Sequence, residues 1–295
     1  MKKILLATDG SENAEEAAWF LAHLPHSEKL ELVVVTVLQE PVLTRSSASA
    51  GWIIAAIERE MTLANATFEK IKQMFDGANV SLSNVIQTGH RGETIVQIAK
   101  EQGVELVVVG ACGHSTVGRI LLGSTSDFVA TQAHCSVLAI RPTGLRKSGS
   151  SLRVAIGYVE SDAAHAAMEE FKEIRWGRQA EVHIATVVSY FQKFAEPIYV
   201  DTDAICEAAK SMVSGAAALL LETVPNVKTQ VIVNDHFGEG LVQFAETNKC
   251  DLVVVGETHR NAIGRFLLGS TSRFVLRHAP CSVWIARNRI AEGLV

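Results

Sequence analysis

Residues 106–126 read Leu-Val-Val-Val-Gly-Ala-Cys-Gly, then nine further residues, then Gly-Ser-Thr-Ser. The pattern returns 146 positions later, at residues 252–272, after the same Leu-Val-Val-Val run. A gap-free alignment of residues 90–141 with 236–287 gives 26 identities in 52 positions. An internal repeat on this scale predicts two copies of one domain, each with a glycine-rich loop after a buried strand.

The first copy alternates short apolar runs with stretches of helical periodicity. The strands are predicted at Ile4–Ala7, Leu32–Leu38, Val80–Gln87, Leu106–Val109 and Ser136–Ile140, and the helices at Ala14–Leu24, Ile53–Phe75, Glu93–Gln102 and Ser124–Ala133. Apolar strands that do not alternate with polar residues, separated by helices, indicate a parallel sheet covered on both faces. We therefore expect an α/β protein of two tandem, doubly wound, five-stranded domains.

The polar stretch at 142–151, rich in Gly and Ser, predicts a linker. The domain limits that follow are 1–143 and 151–290.

Two pairs of equivalent residues outside the loop also predict structural roles. His90 and His236 precede the same Gly-Glu step and are expected to make a shared structural bond in both copies. Cys135 and Cys281 precede the fifth strand of each copy and are expected to be buried packing residues.

Bulk composition excludes several function classes. The 295-residue chain has a net charge of −5 and no long basic run, which disfavours nucleic-acid binding. No apolar run reaches the roughly 18–20 residues that a membrane-spanning helix needs, so no membrane insertion is expected. The five cysteines form no C-x-x-C pair and suit a reducing cytoplasm. The histidines show no metal-ligand spacing, and no metal site is predicted.

The glycine-rich loop has the chemistry of an anion site. Ligands of open parallel sheets bind beyond the carboxyl ends of the strands. Gly110 and Gly113 follow the fourth strand, and Gly123 precedes a helix whose first residues are Ser124, Thr125 and Ser126. Glycines let backbone N–H groups approach a phosphate, and a helix N-terminus adds free donors. The alternative is that these glycines only form tight turns. The loop is neither a Walker A sequence nor the G-x-G-x-x-G dinucleotide motif.

Two further residues lie at strand ends on the same edge. Asp9 ends the first strand, where its carboxylate would accept hydrogen bonds from a ribose or help to hold a metal ion near phosphates. The alternative for Asp9 is an Asx turn or a helix cap. Val37 ends the second strand, where main-chain groups are able to pair with an adenine edge.

At these residues the chain resembles the universal stress protein family in its tandem form. The motifs are Ala7-Thr-Asp-Gly-Ser11, Thr88-Gly-x-x-Gly-Glu-x-Ile95, the loop Gly110-x2-Gly113-x9-Gly123-Ser124, and Ala133-x-Cys-Ser-Val-Leu138. The resemblance covers essentially the whole chain. It implies a Rossmann-like strand order of 3-2-1-4-5 and fifth strands, at Val137–Ile140 and Val283–Ala286, that pair across the domain interface as a pseudo-dimer. It also allows a homodimer of the whole chain.

The resemblance also implies a cofactor, ATP, either alone or with Mg²⁺. Asp9 and Val37 would hold ribose and adenine, and the remaining residues would contact ribose or phosphates. That remaining set comprises Val109, Gly110, Gly113, Gly123, Ser124, Thr125 and Ser126.

The second copy departs from the motif. Val159 stands where Asp9 stands, Glu160 replaces Gly10, and His259 replaces Gly113. We therefore expect the second copy to bind nucleotide weakly or not at all and to serve as a structural partner.

The expected function is a cytoplasmic nucleotide-dependent sensor or switch in stress response. No dedicated catalytic residue stands out, so hydrolysis is expected to be slow if it occurs. An interaction scaffold with a vestigial nucleotide site is the alternative. A related adenine-nucleotide α-hydrolase is disfavoured, because Asp9-Gly-Ser11 does not match that group's loop. The sequence identifies no protein partner.

Overall fold

A computed structural model describes residues 1–26, 28–39, 50–111, 122–189, 201–257 and 268–287. The first domain has the order β-α-β-α-β-α-β-α-β. Its strands are β1 (Lys3–Ala7), β2 (Leu30–Leu38), β3 (Val80–Thr88), β4 (Leu106–Gly110) and β5 (Ser136–Ile140), and its helices are α1 (Glu12–Ala22), α2 (Ala50–Met74), α3 (Arg91–Glu101) and α4 (Ser124–Gln132). Every predicted element of this domain is present, with ends that differ by at most three residues.

The second domain repeats this order after a short connecting helix, α5 (Leu145–Ser148). Its strands are β6 (Leu152–Gly157), β7 (Ala180–Val188), β8 (Val227–Val233), β9 (Leu252–Gly256) and β10 (Ser282–Ala286), and its helices are α6 (Asp162–Lys172), α7 (Thr202–Leu220), α8 (Phe237–Thr247) and α9 (Ser270–His278). The predicted polar linker therefore contains one helical turn, which left-handed glycines flank at Gly144 and Gly149.

All ten strands belong to one sheet in the order β3-β2-β1-β4-β5-β10-β9-β6-β7-β8. Each half has the expected 3-2-1-4-5 order with parallel neighbours. Successive residues of β1 point to opposite faces of the sheet. Ile4 and Leu6 pack in one buried cluster, and Leu5 and Ala7 pack in the other. Helices therefore cover both faces of the sheet, as the non-alternating strands predicted.

The two halves join through their fifth strands. β5 and β10 pair in the antiparallel direction, with Trp284 opposite Leu138 and Ile285 opposite Val137. The side chain of Trp284 is fully buried, and its indole N–H donates to the buried carboxylate of Glu170 at 3.0 Å. The pairing leaves β3 and β8 as the outer strands, so neither fifth strand presents an open edge.

Two buried arginines cross this junction reciprocally. Arg141, just after β5, donates to the carbonyl oxygens of Leu276 (2.6 Å) and Cys281 (3.2 Å) at the end of α9. Arg287, just after β10, donates to the carbonyl of Ala133 (2.9 Å) at the end of α4. Each guanidinium thus satisfies carbonyls that a helix C-terminus leaves open, where a positive charge is also favourable. We call this pair the arginine clamp.

The residues that cap the helices are not the same at every matching position of the two domains. Ser11 caps α1 by accepting from the backbone N–H of Ala14. His236 caps α8 through Nδ1, which accepts from the N–H of Glu239 at 3.2 Å. His90 stands at the matching position of α3, but its side chain makes no cap bond. The prediction of a shared bond at the two histidines was therefore wrong, because only the α8 rotamer brings the imidazole over the helix end.

Candidate functional site

One cavity lies beyond the carboxyl ends of β1, β2 and β4. It has a volume of about 260 Å³ and is closed at its sides by the first turns of α1, α3 and α4. Its lining residues are Ala7, Thr8, Asp9, Ser11, Asn13, Ala14, Val35, Val37, Arg91, Ile95, Val109, Gly110, Gly123, Ser124, Thr125 and Ser126. We call it the domain 1 cavity. It occupies the edge of the sheet where open parallel α/β folds hold their ligands.

Eight of the nine residues that the sequence singled out line this cavity. They are Asp9, Val37, Val109, Gly110, Gly123, Ser124, Thr125 and Ser126. The ninth, Gly113, lies outside the described residues, as does Cys112.

The first turn of α4 presents backbone donors to the cavity. Gly123 is the N-cap, and the N–H of Asp127 is the first to bond within the helix, to the carbonyl of Gly123 at 2.9 Å. The N–H groups of Ser124, Thr125 and Ser126 consequently have no acceptor inside the helix. A helix N-terminus of this kind carries a partial positive charge and suits an anion.

The three hydroxyl groups of this turn are not equivalent. Ser126 is buried, and its hydroxyl donates to the carbonyl of Gly110 at 2.7 Å. That bond ties the start of α4 to the end of β4 and engages the hydroxyl proton. Ser124 is exposed and Thr125 half-buried, and neither hydroxyl bonds to another described residue. Side-chain donation to a ligand from this turn therefore falls to Ser124 and Thr125, and Ser126 contributes its backbone N–H.

Asp9 forms the predicted alternative, an Asx turn. Its Oδ1 accepts from the N–H of Ser11 at 3.1 Å, and Gly10 takes a left-handed φ of +75° to allow the turn. The turn orients the exposed carboxylate at the cavity mouth, because Asp9 also lines the cavity. The turn uses one lone pair of Oδ1, so Oδ2 is open to accept from a hydroxyl-bearing ligand.

Gly110 has a packing reason to be glycine. A Cβ at this position would lie 2.7 Å from the backbone C and O of Asn13 in α1, which is closer than real contacts allow. The equivalent Gly256 meets Ala163 in α6 in the same way. The recurrence of this glycine in both halves therefore follows from the helix that crosses each fourth strand. Gly123 differs, because the nearest atom to a Cβ there lies 4.0 Å away.

Arg91, at the first position of α3, lines the cavity and was missed by the sequence reasoning. It is exposed and makes no ion pair with the carboxylates that the structure describes. It adds a cation to a cavity whose lining otherwise carries one charged group, Asp9. The signal was present in the repeat alignment, where Phe237 stands opposite Arg91 within otherwise matching His-x-Gly-Glu steps.

A related cavity of about 440 Å³ lies at the same place in the second domain. Both charged positions are apolar there, with Val159 for Asp9 and Phe237 for Arg91. The hydroxyl of Ser272 still donates to the carbonyl of Gly256, at 3.3 Å. The helix N-terminus is thus retained, and the charged groups that face it in the first domain are not. His259 lies outside the described residues.

The position after Gly256 serves the domain junction instead. Glu257 is fully buried and pairs with Arg287 of the arginine clamp. The equivalent residue in the first domain is the small, buried Ala111. This loop of the second domain therefore carries a buried ion pair where the first domain carries a methyl group.

Three of the four described cysteines, Cys135, Cys250 and Cys281, are buried, and Cys206 is half-buried; the prediction of buried packing residues at Cys135 and Cys281 is confirmed. Cys135 and Cys281 are buried beside the fifth strands. Burial raises the pKa of the Cys135 thiol to about 12, and it raises the pKa of Cys250 to about 12 as well. These thiols stay protonated at neutral pH and are poor nucleophiles. The described parts of the chain also contain no group of three His, Cys, Asp or Glu residues placed to hold a metal ion.

Comparison with known proteins agrees with the fold and the repeat. The profile of the universal stress protein family matches residues 1–141 and again 152–287. The chain belongs to the universal stress protein family. The tandem universal stress protein Rv2005c of Mycobacterium tuberculosis is 27% identical over 291 residues, which is 96% of each chain. The universal stress protein YxiE of Bacillus subtilis is 31% identical over 145 residues, 47% of this chain and 98% of YxiE.

A solved universal stress protein from Archaeoglobus fulgidus shares the fold over both domains. It superposes with a TM-score of 0.68 at 20% identity and covers 97% of this chain and 98% of its own. None of the described helices is long and apolar enough to cross a membrane.

Proposed function

We propose that this universal stress protein binds an adenine nucleotide, ATP, in the domain 1 cavity and acts as a nucleotide-dependent switch in stress response. The observation that carries the proposal is the convergence of eight predicted residues on one cavity. Three unbonded N–H groups at the start of α4 and a carboxylate at Asp9 line the same space. Donors of that kind suit phosphates, and a carboxylate suits ribose hydroxyls.

The residues that line the cavity indicate where the purine ring and the phosphates of the nucleotide would lie. Val35, Val37 and Ile95 form an apolar side that suits a purine ring, and Val109 continues it at the end of β4. Ser124 and Thr125 form the polar side. Arg91 is the one cation in the lining, and we assign it to the phosphates, where it would supplement Mg²⁺ as a counterion. Membership of the universal stress protein family supports an adenine nucleotide as the ligand.

Among the lining residues that the structure describes, none is placed as a general base beside a second catalytic group, so we propose at most slow hydrolysis. We further propose that the domains extend over 1–143 and 151–290 and that the protein works in the cytoplasm, where its cysteines stay reduced. The second domain serves as the structural partner, because its cavity has lost both charged residues and its Glu257 stabilises the junction.

A scaffold without nucleotide is the second candidate function. The apolar substitutions at Val159 and Phe237 favour it for the second domain. The retained Asp9 and Arg91 argue against it for the first.

The first experiment measures the nucleotide content of the purified protein. Denatured samples are separated by liquid chromatography, and adenine nucleotides are identified by mass spectrometry. About one adenine nucleotide per chain is expected, since only the first domain retains the charged lining. If the purified protein contains no nucleotide and also shows no binding of Mg-ATP by calorimetry, the result favours the scaffold function.

A matched pair of variants locates the site. Asp9→Ala removes the carboxylate and should weaken ATP binding about 10- to 100-fold, because hydrogen bonds to a charged group contribute roughly 1.5–3 kcal/mol. Asp162→Ala changes a first-turn aspartate in the second domain and should leave binding unchanged. Equal affinities of the two variants would show that ATP does not use Asp9.

A further inference from the structure

A second pocket lies between the two domains. It has a volume of about 610 Å³ and shares no lining residue with the domain 1 cavity. The end of α1 and the residues after it line one side, the linker a second, and the start of β6 and the turn before β7 a third. Its lining residues are Trp19, Phe20, His23, Leu24, Pro25, Leu145, Arg146, Gly149, Ser150, Ser151, Leu152, Trp176, Arg178 and Gln179. We call it the interdomain pocket.

Two tryptophans line the pocket, but only Trp19 presents accessible surface, because Trp176 is 2% exposed and packs in the buried core. The ring of Trp176 stacks on Phe171 at 4.8 Å with an interplanar angle of 18°, and its N–H donates to the carbonyl of Phe171 at 3.0 Å. The ring of Trp19 lies 4.2 Å from that of His23. Trp19 is half-buried, and its indole N–H has no acceptor among the described residues. The accessible indole of the pocket is therefore that of Trp19, whose N–H is open to a ligand acceptor, and Trp176 supports the pocket wall from the core.

The charged groups at the pocket leave one cation unpaired within the described structure. Arg146 is already paired, with Glu15 at 3.3 Å and Glu16 at 3.9 Å. Arg178 is exposed and has no described carboxylate within ion-pair distance. His23 donates from Nδ1 to the carbonyl of Trp19 at 2.7 Å, so that its other nitrogen, Nε2, is the acceptor in the neutral ring.

The aromatic lining is not a by-product of the duplication. The repeat correspondence places Glu169 opposite Trp19 and His26 opposite Trp176. The related groove on the other side of the junction is lined by charged residues that include Lys172, Glu173 and Arg175. The pocket with two indoles therefore exists at only one of the two equivalent places.

We propose that the interdomain pocket binds a planar aromatic monoanion of small-molecule size, with its ring against the half-buried indole of Trp19 and its carboxylate at Arg178. Flat rings stack favourably on indole, and a guanidinium pairs with a carboxylate in bidentate fashion. The volume falls within the usual 300–1,000 Å³ of small-molecule sites, which often lie between domains. The site is independent of the nucleotide proposal, because the two cavities have no residue in common.

The test uses calorimetric titration of the full chain with 1-naphthoate, and with the uncharged 1-naphthylmethanol as its matched probe. One naphthoate per chain is expected, bound at least about 5-fold more tightly than the alcohol. Arg178→Gln should reduce naphthoate affinity to that of the alcohol, and Trp19→Glu, which copies the second domain, should weaken both probes at least about 10-fold.

Arg91→Gln is the control, because it removes a cation from the domain 1 cavity instead, and it should leave naphthoate binding unchanged. Far-UV circular dichroism reports whether each variant is folded. If Trp19→Glu does not fold, the exposed Arg178→Gln decides alone. The proposal fails if millimolar naphthoate gives no saturable binding, if Arg178→Gln leaves its affinity unaltered, or if Arg91→Gln abolishes it.

Discussion

Substitution of Arg287 by methionine should be the most damaging single change at the domain junction. The guanidinium is fully buried, pairs with the fully buried Glu257, and donates to the carbonyls of Ala130, Ala133 and Cys135. Methionine fills much of the volume and supplies none of these donors. Removing one partner of a buried ion pair leaves the other without compensation, which costs about 3–5 kcal/mol.

The expected loss in the free energy of unfolding is therefore about 4 kcal/mol. For domains of about 150–250 residues, 1 kcal/mol corresponds to roughly 2–4 °C, so Tm should fall by about 8–16 °C. Urea denaturation followed by circular dichroism measures the free energy, and tryptophan fluorescence includes a signal from Trp284 at the junction.

The double variant Arg287→Met/Glu257→Ala provides the control. Alanine at 257 copies Ala111 of the first domain and removes the buried carboxylate that the single variant leaves unpaired. The double variant should therefore recover about 1–3 kcal/mol of the loss. Salt at 0.5 M should change neither result much, because buried pairs are weakly screened. A loss below about 1 kcal/mol, or a double variant no more stable than the single one, would show that the buried ion pair does not stabilise the junction.

Three further predictions concern the first domain. Arg91→Phe, which copies the second domain, should weaken ATP binding at least about 5-fold by calorimetry and leave adenosine binding unaltered; an equal loss for adenosine would contradict the phosphate role. Gly110→Ala should destabilise by about 1–3 kcal/mol in urea because its Cβ would meet the α1 backbone at 2.7 Å, whereas Gly123→Ala, with 4.0 Å of space, should cost less than about 1 kcal/mol, the difference between glycine and alanine at an N-cap. Burial, with the charges of Lys100 and Arg287, lowers the pKa of His134 in the folded state. The contribution of His134 to the free energy of unfolding is therefore complete above the unfolded pKa of about 6.5 and is lost as the pH falls below that value. His134→Gln should therefore flatten the decline in stability between pH 7 and pH 5, and an unchanged slope would contradict this.

The order of elements and the family could be derived from the chain alone. Residues 90–141 recur at 236–287 with 26 identities in 52 positions, and the apolar runs between helices place all five strands of the first domain to within a few residues. These features depend on neighbouring residues, because strand burial, helix periodicity and caps are local properties of a sequence. The candidate site residues followed for the same reason, since parallel strands bring their carboxyl ends to one edge.

The way in which those residues act depends on contacts between distant parts of the chain. Ser126 directs its hydroxyl to the carbonyl of Gly110, and Gly110 is glycine because α1 crosses it. Arg91 enters the domain 1 cavity from a helix that begins about 80 residues after Asp9 in the chain. The arginine clamp joins residues more than 130 positions apart. Contacts at such separations depend on how the faces of the sheet and helices pack, and this packing leaves no periodic pattern in the sequence.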